Sequence, residues 1–307
     1  MPSLEIHPLS DLRDEAARLL GERFARQRAT EPLLPDIDEF APYLPDEEGV
    51  VATRGGAAVA YLAGTMRGDI ATVGFAGCAA SEPEALRDLY AVLAEQWDAS
   101  RFSVAVPASD EALFDPWFRM GFGCQFMWAV RETARETDAG VHLRTDAGVH
   151  LRRIRPSTPD DLEAVAEFDE ILSMLQVRSP SYSGMVVPTR DGFRGEWSDL
   201  WDEPETYTHF VAEQDDRVVG HVLLYRRPEG DLRVPENNID LAQAATLDDV
   251  RGSGVGVALT HYALRWAHDE GFRSMTADWR SVNLLSSRFW PRRGFRPQYL
   301  RLYRAVP

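Results

Sequence analysis

The 307-residue sequence has no lysine; all 33 of its basic residues are arginine. This excludes lysine as a catalytic or self-modified residue. It also excludes a P-loop, whose Gly-Lys-Ser/Thr end has no counterpart here. The bias reads as codon usage of a GC-rich bacterial genome. Cysteine is scarce too. Cys78 and Cys124 fit no metal-ligand spacing and are expected to be small, unpaired buried hydrophobes. No run approaches the roughly 18 apolar residues of a membrane span. The opening stretch carries Glu5, Asp11 and Asp14 where a signal peptide would be apolar. A cytoplasmic protein without membrane contact is expected.

Positive charge is also short. The net charge is −16. Such a chain repels nucleic acid and anionic lipid, so neither is expected as a partner. The excess acid reads first as a device for solubility.

The length suits two domains of ordinary size. One exact repeat, TDAGVHLRTDAGVHLR at 137–152, places His142 and His150 in equivalent positions. The pair lacks a third ligand, so no metal site is expected, and the segment reads as a duplicated linker at 137–148. A fainter repeat runs at a constant offset. Trp117 matches Trp290, Arg119 matches Arg292, and Gly121-Phe122 matches Gly294-Phe295. The chain therefore reads as two copies of one domain, at 1–136 and 149–307.

The second copy alternates in period as a mixed α+β domain. A strand at HLRRIRPS leads to a helix opened by Thr158, Pro159 and Asp160. A polar, aromatic-rich stretch spans 176–206. A hairpin turns about Asp215-Asp216, and the strand IDLAQAAT precedes a long helix from GVALTHYALRWAHDEG. A strand, a short helix stopped by Gly294 and a last strand follow. The expected fold is a central, mostly antiparallel twisted sheet flanked by helices.

Between that strand and the long helix lies VRGSGVGVAL, with Gly252, Gly254 and Gly256 just after Arg251. Glycine weakens a helix and needs a reason at its mouth. Two reasons remain open: a turn required by packing, or an anion cradle. In the second, free N–H groups and the positive end of the helix dipole face a phosphate, with an arginine beside it. A dinucleotide site would need a parallel β-α-β unit, and the upstream hairpin does not supply one.

Arg251-x-x-Gly254-x-Gly256 resembles the acyl-CoA loop of the GNAT N-acetyltransferase superfamily. Asn283, Ser286, Phe289, Trp290, Arg292, Gly294 and Phe295 resemble that family's second pattern, N-x-x-A-x-x-L-Y-x-K-x-G-F. The resemblance implies two tandem GNAT-like domains. It implies that Arg251, Gly252, Ser253, Gly254, Val255 and Gly256 hold the pyrophosphate of acetyl-CoA, the acyl donor. It also implies that Ala245 and Thr246 bond its pantetheine arm as an added strand, with Asn283 nearby. The usual tyrosine acid falls at Trp290, whose indole N–H only donates. Ser286, or its neighbour Ser287, is the replacement candidate. Asp240 is the candidate base, with Glu236 and Asp278 in reserve, and His221 and His261 are read as packing or surface residues.

The first copy lacks the loop. VGFAGCAASEPEALRDLY has neither the arginine nor the glycine run, and Ser81 with Glu84 reads as a capping box. A degenerate domain without acyl-CoA binding is expected. The expected function is acetyl transfer from acetyl-CoA to a primary amine of a small molecule or peptide, by direct attack in a ternary complex, in a monomer or homodimer. The competing reading is a non-catalytic acyl-CoA sensor or partner-binding protein. The segment GEWSDLWDEPETY (195–207) is a candidate cation holder or plain amphipathic surface.

Overall fold

Apolar side chains alternating along short β-prone runs form strands here, and the runs with a helical period cover them. The computed structural model describes residues 2–46, 48–133, 153–183, 185–228 and 230–306. The duplicated octapeptide, with His142 and His150, lies outside the described residues. The chain forms two compact units, one of Met1–Ala129, Gly230–Pro235 and Arg296–Pro307, the other of Val130–Glu229 and Glu236–Phe295.

The first unit runs β1 (Leu4–Pro8), α1 (Arg13–Thr30), β2 (Gly49–Arg54), β3 (Ala57–Ala63), β4 (Thr65–Arg67), β5 (Ile70–Val73), β6 (Cys78–Ala80), α2 (Ala85–Gln96), β7 (Arg101–Pro107), α3 (Glu111–Arg119) and the greater part of β8 (Gly123–Glu132), whose last three residues belong to the other. Strands β1, β2, β3 and β6 form one sheet in that order. AAVAYLA in β3 is apolar throughout because both faces are covered. Val59 and Leu62 pack in one core with Leu86, Leu89 and Leu93 of α2. Tyr61 and Ala63 pack in the other with Leu19, Leu20 and Phe24 of α1. Each fully buried leucine contributes about 2 kcal/mol.

The second unit runs β9 (Arg153–Pro156), α4 (Leu162–Val177), α5 (Arg190–Trp201), β10 (Tyr207–Gln214), β11 (Arg217–Tyr225), β12 (Asn238–Thr246), α6 (Val255–Asp269), β13 (Ser274–Arg280) and α7 (Leu284–Phe289). Its sheet order is β13-β12-β11-β10-β9. The β10–β11 hairpin turns at Asp215 and Asp216, both left-handed at φ 49° and 61°. Thr158 and Asp161 form a reciprocal capping box ahead of α4. Alternation along β10 then separates the faces. Val211 packs with Val165 and Trp197 under α4 and α5. Phe210 meets Tyr262 and Trp266 of α6 edge-on.

The last strand, β14 (Arg296–Ala305), departs from expectation. Read in the sequence as closing the second copy, it lies in the first unit, antiparallel to β7 from Tyr299 opposite Pro107 to Ala305 opposite Arg101. Leu300 and Leu302 join the core beneath α2.

The internal repeat is geometric as well as textual. Trp117 meets Phe122 with ring centroids 5.1 Å apart at 76°, and Trp290 meets Phe295 at 5.4 Å and 78°. Between each pair a left-handed glycine turns the chain, Gly121 at φ 85° and Gly294 at φ 80°. Cys78 is buried and Cys124 half-buried, and no disulfide joins the two.

Candidate active site

The site grows from a fault in the second sheet. Strand β12 pairs with β13 in parallel only from Asn238 to Leu241. It pairs with β11 on its other side through Thr246. The β11 register shifts between Leu223, opposite Gln243, and Leu224, opposite Leu241, so Ala242 is bulged. A bulge bends and twists its strand. Here it coincides with the point where β12 parts from β13. Beyond it, Ala244, Ala245 and Thr246 carry a ladder on one edge only.

That edge opens into a cleft of about 390 Å³. Its walls come from Ile171, Leu172 and Leu175 of α4, from the glycine loop, and from Asn283, Ser286 and Phe289 around α7. Its floor includes His221 of β11.

Backbone geometry justifies the glycines. Gly252 stands at φ 80° and Gly254, the residue that opens α6, at φ 102°. These are values that residues with a Cβ rarely adopt. The first bond into α6 runs from Ala258 N to Gly254 O. The N–H groups of Val255, Gly256 and Val257 therefore precede the ladder. No acidic side chain occupies that first turn. A phosphate would meet free donors and the positive helix end there.

Most of the residues read from the sequence meet at this cleft. Ala245, Thr246, Arg251, Gly252, Gly254, Gly256, Asn283 and Ser286 all line it. Ser253 and Val255 shape the loop instead. Ser253 Oγ donates to Val250 O at 2.6 Å, and Val255 is buried. Asn283 caps α7, its Oδ1 accepting from the N–H groups of Leu285 and Ser286 at 3.1 and 3.3 Å. That leaves the Nδ2 end of the amide for a ligand. The two serines separate: Ser287 Oγ donates to Ser281 O at 2.8 Å, whereas Ser286 faces the cleft. Trp290, at the usual tyrosine position, is buried at the cleft wall.

Asp240 is not among the lining residues. Thr276 Oγ1 donates to its Oδ1 at 2.8 Å, and Arg227 Nη2 bonds its Oδ2. Asn238 and Ser274 extend the chain. The expected base is thus held within a buried network between β12 and β13.

Two further expectations need correction. The tryptophans of 195–207 face inward: Trp197 Nε1 donates to buried Asp169 at 2.6 Å, and Trp201 Nε1 to Ser157 at 3.0 Å. Neither ring is presented to a cation. In the first unit Ser81 and Glu84 form no capping box, because Ser81 Oγ turns to Val59 O at 3.3 Å and Glu84 pairs with Arg119 and Arg87. Glu82 pairs with Arg54 at 2.9 Å.

The sequence reading missed the importance of His221. His209 Nε2 lies 3.0 Å from His221 Nδ1, and His209 Nδ1 lies 2.7 Å from Ser157 Oγ. Burial pulls the His221 imidazole down to about 3 and His209 well below the ordinary range, the neighbouring ring adding to the second. The turn at Asp215-Asp216 alone would set residue 221 opposite 210. A bulge at Val219 shifts it opposite Val211, on the face that His209 shares, and no sequence signal marks that bulge.

Residues 171–295, which hold every one of these cleft residues, match the acetyltransferase (GNAT) family model. This segment is a GNAT domain. The fold agrees over the whole chain. A GCN5-related N-acetyltransferase from Sphaerobacter thermophilus superposes with a TM-score of 0.58 at 14% identity, covering 99% of this chain and 96% of that one. A GCN5-related glucosamine N-acetyltransferase region of a fungal multi-domain GH3 β-N-acetylglucosaminidase reaches 0.53 at 14% identity, covering 99% of this chain and 38% of that one. A tandem GNAT protein from the clavulanic acid biosynthesis pathway reaches 0.47 at 16% identity, covering 99% of each. No curated protein matches the chain in sequence. Over the whole chain the fold is that of a GCN5-related N-acetyltransferase, with the GNAT family match confined to 171–295 and the N-terminal part divergent from it. Among the described residues no helix is long and apolar enough to cross a membrane.

Proposed function

We propose that the chain is an N-acetyltransferase that moves the acetyl group of acetyl-CoA to a primary amine of a small molecule or peptide by direct attack. The observation that carries this reading is the meeting of two features in one cleft. The α6 N-terminus opens through two left-handed glycines, and β12 beside it leaves Ala244–Thr246 with one unpaired edge. The first fits a pyrophosphate; the second fits an amide-bearing arm added as a strand.

In this reading Arg251 and the loop N–H groups hold the pyrophosphate, Ala245 and Thr246 align the pantetheine, and Asn283 Nδ2 steadies the arm. Acetyl-CoA supplies the activated thioester. Ser286, which lines the cleft, donates a proton to the departing sulfur, the task for which Trp290 has only an N–H donor. The protein acts in the cytoplasm as a monomer or homodimer, without nucleic acid or membrane. The indole at 290 keeps a second reading in view, a sensor that binds acyl-CoA without turnover.

Calorimetric titration with acetyl-CoA, beside Gly254→Glu, tests the proposal. One site per chain is expected, with binding lost in the variant because bulk, negative charge and a forbidden φ enter the cradle together. Undiminished binding by Gly254→Glu sinks the reading. Thiol release with amines then separates enzyme from sensor.

A further inference from the structure

Buried polar atoms normally find partners, and each exception asks for a reason. His221 Nε2 is buried and has no hydrogen-bond partner among the described residues, and His221, itself fully buried, is among the residues that bound the cleft. The ring is fixed firmly. It stacks on Phe168 at 4.7 Å and 16°, and Trp197 closes it edge-on at 6.0 Å. Its other nitrogen is committed to His209, and His209 in turn to Ser157. Trp201 Nε1–H completes the row by donating to the Ser157 oxygen at 3.0 Å. Ser157 is only half-buried. A buried nitrogen of a cleft-bounding residue is thus joined, through two rings, to a half-buried hydroxyl.

We propose that Ser157, His209 and His221 form a proton relay for the acceptor amine, with His221 Nε2 as the atom that receives the proton in the cleft. The inference rests on the acetyl-transfer reading.

The relay has two neutral arrangements. In one, His221 Nδ1–H donates to His209 Nε2 and His209 Nδ1–H donates to Ser157 Oγ, so His221 Nε2 offers a lone pair to the cleft. In the other, Ser157 O–H donates to His209 Nδ1 and His209 Nε2–H donates to His221 Nδ1, so His221 Nε2 carries hydrogen. Trp201 is compatible with both, since the serine oxygen can accept from it in either case. An arriving ammonium converts the first into the second. Its N–H bond breaks as an N–H bond forms at His221 Nε2. The Nδ1 proton of His221 passes to His209 Nε2, and the Nδ1 proton of His209 to Ser157 Oγ. The serine's own proton leaves to water. The acceptor becomes a neutral nucleophilic amine, and one proton reaches solvent. The reverse shift takes a proton in at Ser157 and delivers one from His221 Nε2 to the cleft, which resets the relay and can protonate a leaving thiolate. The second proton of the attacking nitrogen goes to water, so each acetyl transfer releases one net proton. The depressed basicity of both rings suits this role, because the chain passes a proton without storing a charge.

The test uses the full chain with ¹⁵N-labelled histidine, and acetyl-CoA as the probe. Calorimetry establishes saturation. NMR is then expected to show N–H···N coupling between His209 and His221, and a displacement of His221 Nε2 on saturation that exposed His268 does not share. With acetyl-CoA filling the cleft, the ring N–H of His221 still exchanges with water through Ser157. Ser157→Ala is expected to slow that exchange about tenfold, and Ser157→Thr, which keeps the hydroxyl, to restore it. Should Ser157→Ala fail to fold, His209→Phe interrupts the same row from inside. A saturated chain in which His221 Nε2 does not move, or whose exchange is indifferent to these variants, overturns the relay and leaves the coenzyme reading intact. Absence of calorimetric binding overturns the coenzyme reading itself.

Discussion

Arg251 Nη2 lies 2.7 Å from Asp248 Oδ1, three residues earlier in the loop that leads into α6. The guanidinium proposed to meet a pyrophosphate is thus already paired, and Asp248 is largely exposed. A ligand phosphate must displace that carboxylate. Such an exposed pair is worth about 0.2–1 kcal/mol. Asp248→Asn is therefore expected to tighten acetyl-CoA binding by about 1.5- to 5-fold at low salt, with the gain shrinking as salt rises. Weaker binding in the variant would show that Asp248 supports the loop rather than competing for Arg251.

The loop glycines are expected to differ in their tolerance. A Cβ at Gly256 would meet the Phe289 ring at 3.6 Å and Thr246 Cγ2 at 3.7 Å, ordinary contact distances. Its role in the cradle is carried by backbone. Gly256→Ala is expected to raise stability by about 0.5–1 kcal/mol and to leave acetyl-CoA affinity within twofold. Gly254→Ala, at φ 102°, is expected to cost about 1–3 kcal/mol and to weaken binding. Chemical denaturation with calorimetry on both variants separates the cases.

Asp240 is expected to act on stability. Its oxygens are held by Thr276 and Arg227 inside a buried network. Asp240→Asn weakens that network and should cost about 1–3 kcal/mol, while acetyl-CoA affinity stays within twofold. A folded variant of unchanged stability whose turnover collapses would instead return Asp240 to the role of base.

The histidine pair predicts a sensitivity to acid. Both imidazoles bind protons less readily in the folded chain, His221 near 3, than the unfolded value of about 6.5. Stability is then fully present above about pH 6.5 and is lost as pH falls toward 3. Each ring adds up to about 1.4 kcal/mol per pH unit. His209→Gln removes one of them, so the slope between about pH 5 and 6 should fall by roughly 1 kcal/mol per unit in denaturation series.

Asp169 predicts the opposite slope. Burial raises its carboxyl, although Gln243 and Trp197 both donate to it. A raised acid stabilises below its unfolded value of about 3.8 and loses that contribution as pH rises through the folded value. Asp169→Asn keeps an acceptor for Trp197 and sheds the buried charge. Its melting temperature is expected to exceed that of the parent at neutral pH and to match it in acid.

The sequence by itself determined the two-copy plan, the glycine-opened helix and most of the cleft lining. These features are local. A left-handed glycine, a cap or a helix-period stripe is written within a few adjacent residues, and the Trp-Gly-Phe turns of the two copies repeat at one offset. The tertiary structure decided what depends on pairing between distant segments. It put the last strand beside β7, parted β12 from β13 at Leu241, drew Asp240 into a buried network and turned Trp197 and Trp201 inward. It also aligned His221, His209 and Ser157, which no linear spacing connects. Strand register and side-chain burial arise from contacts far apart in the chain, so they become fixed only when the sheet assembles.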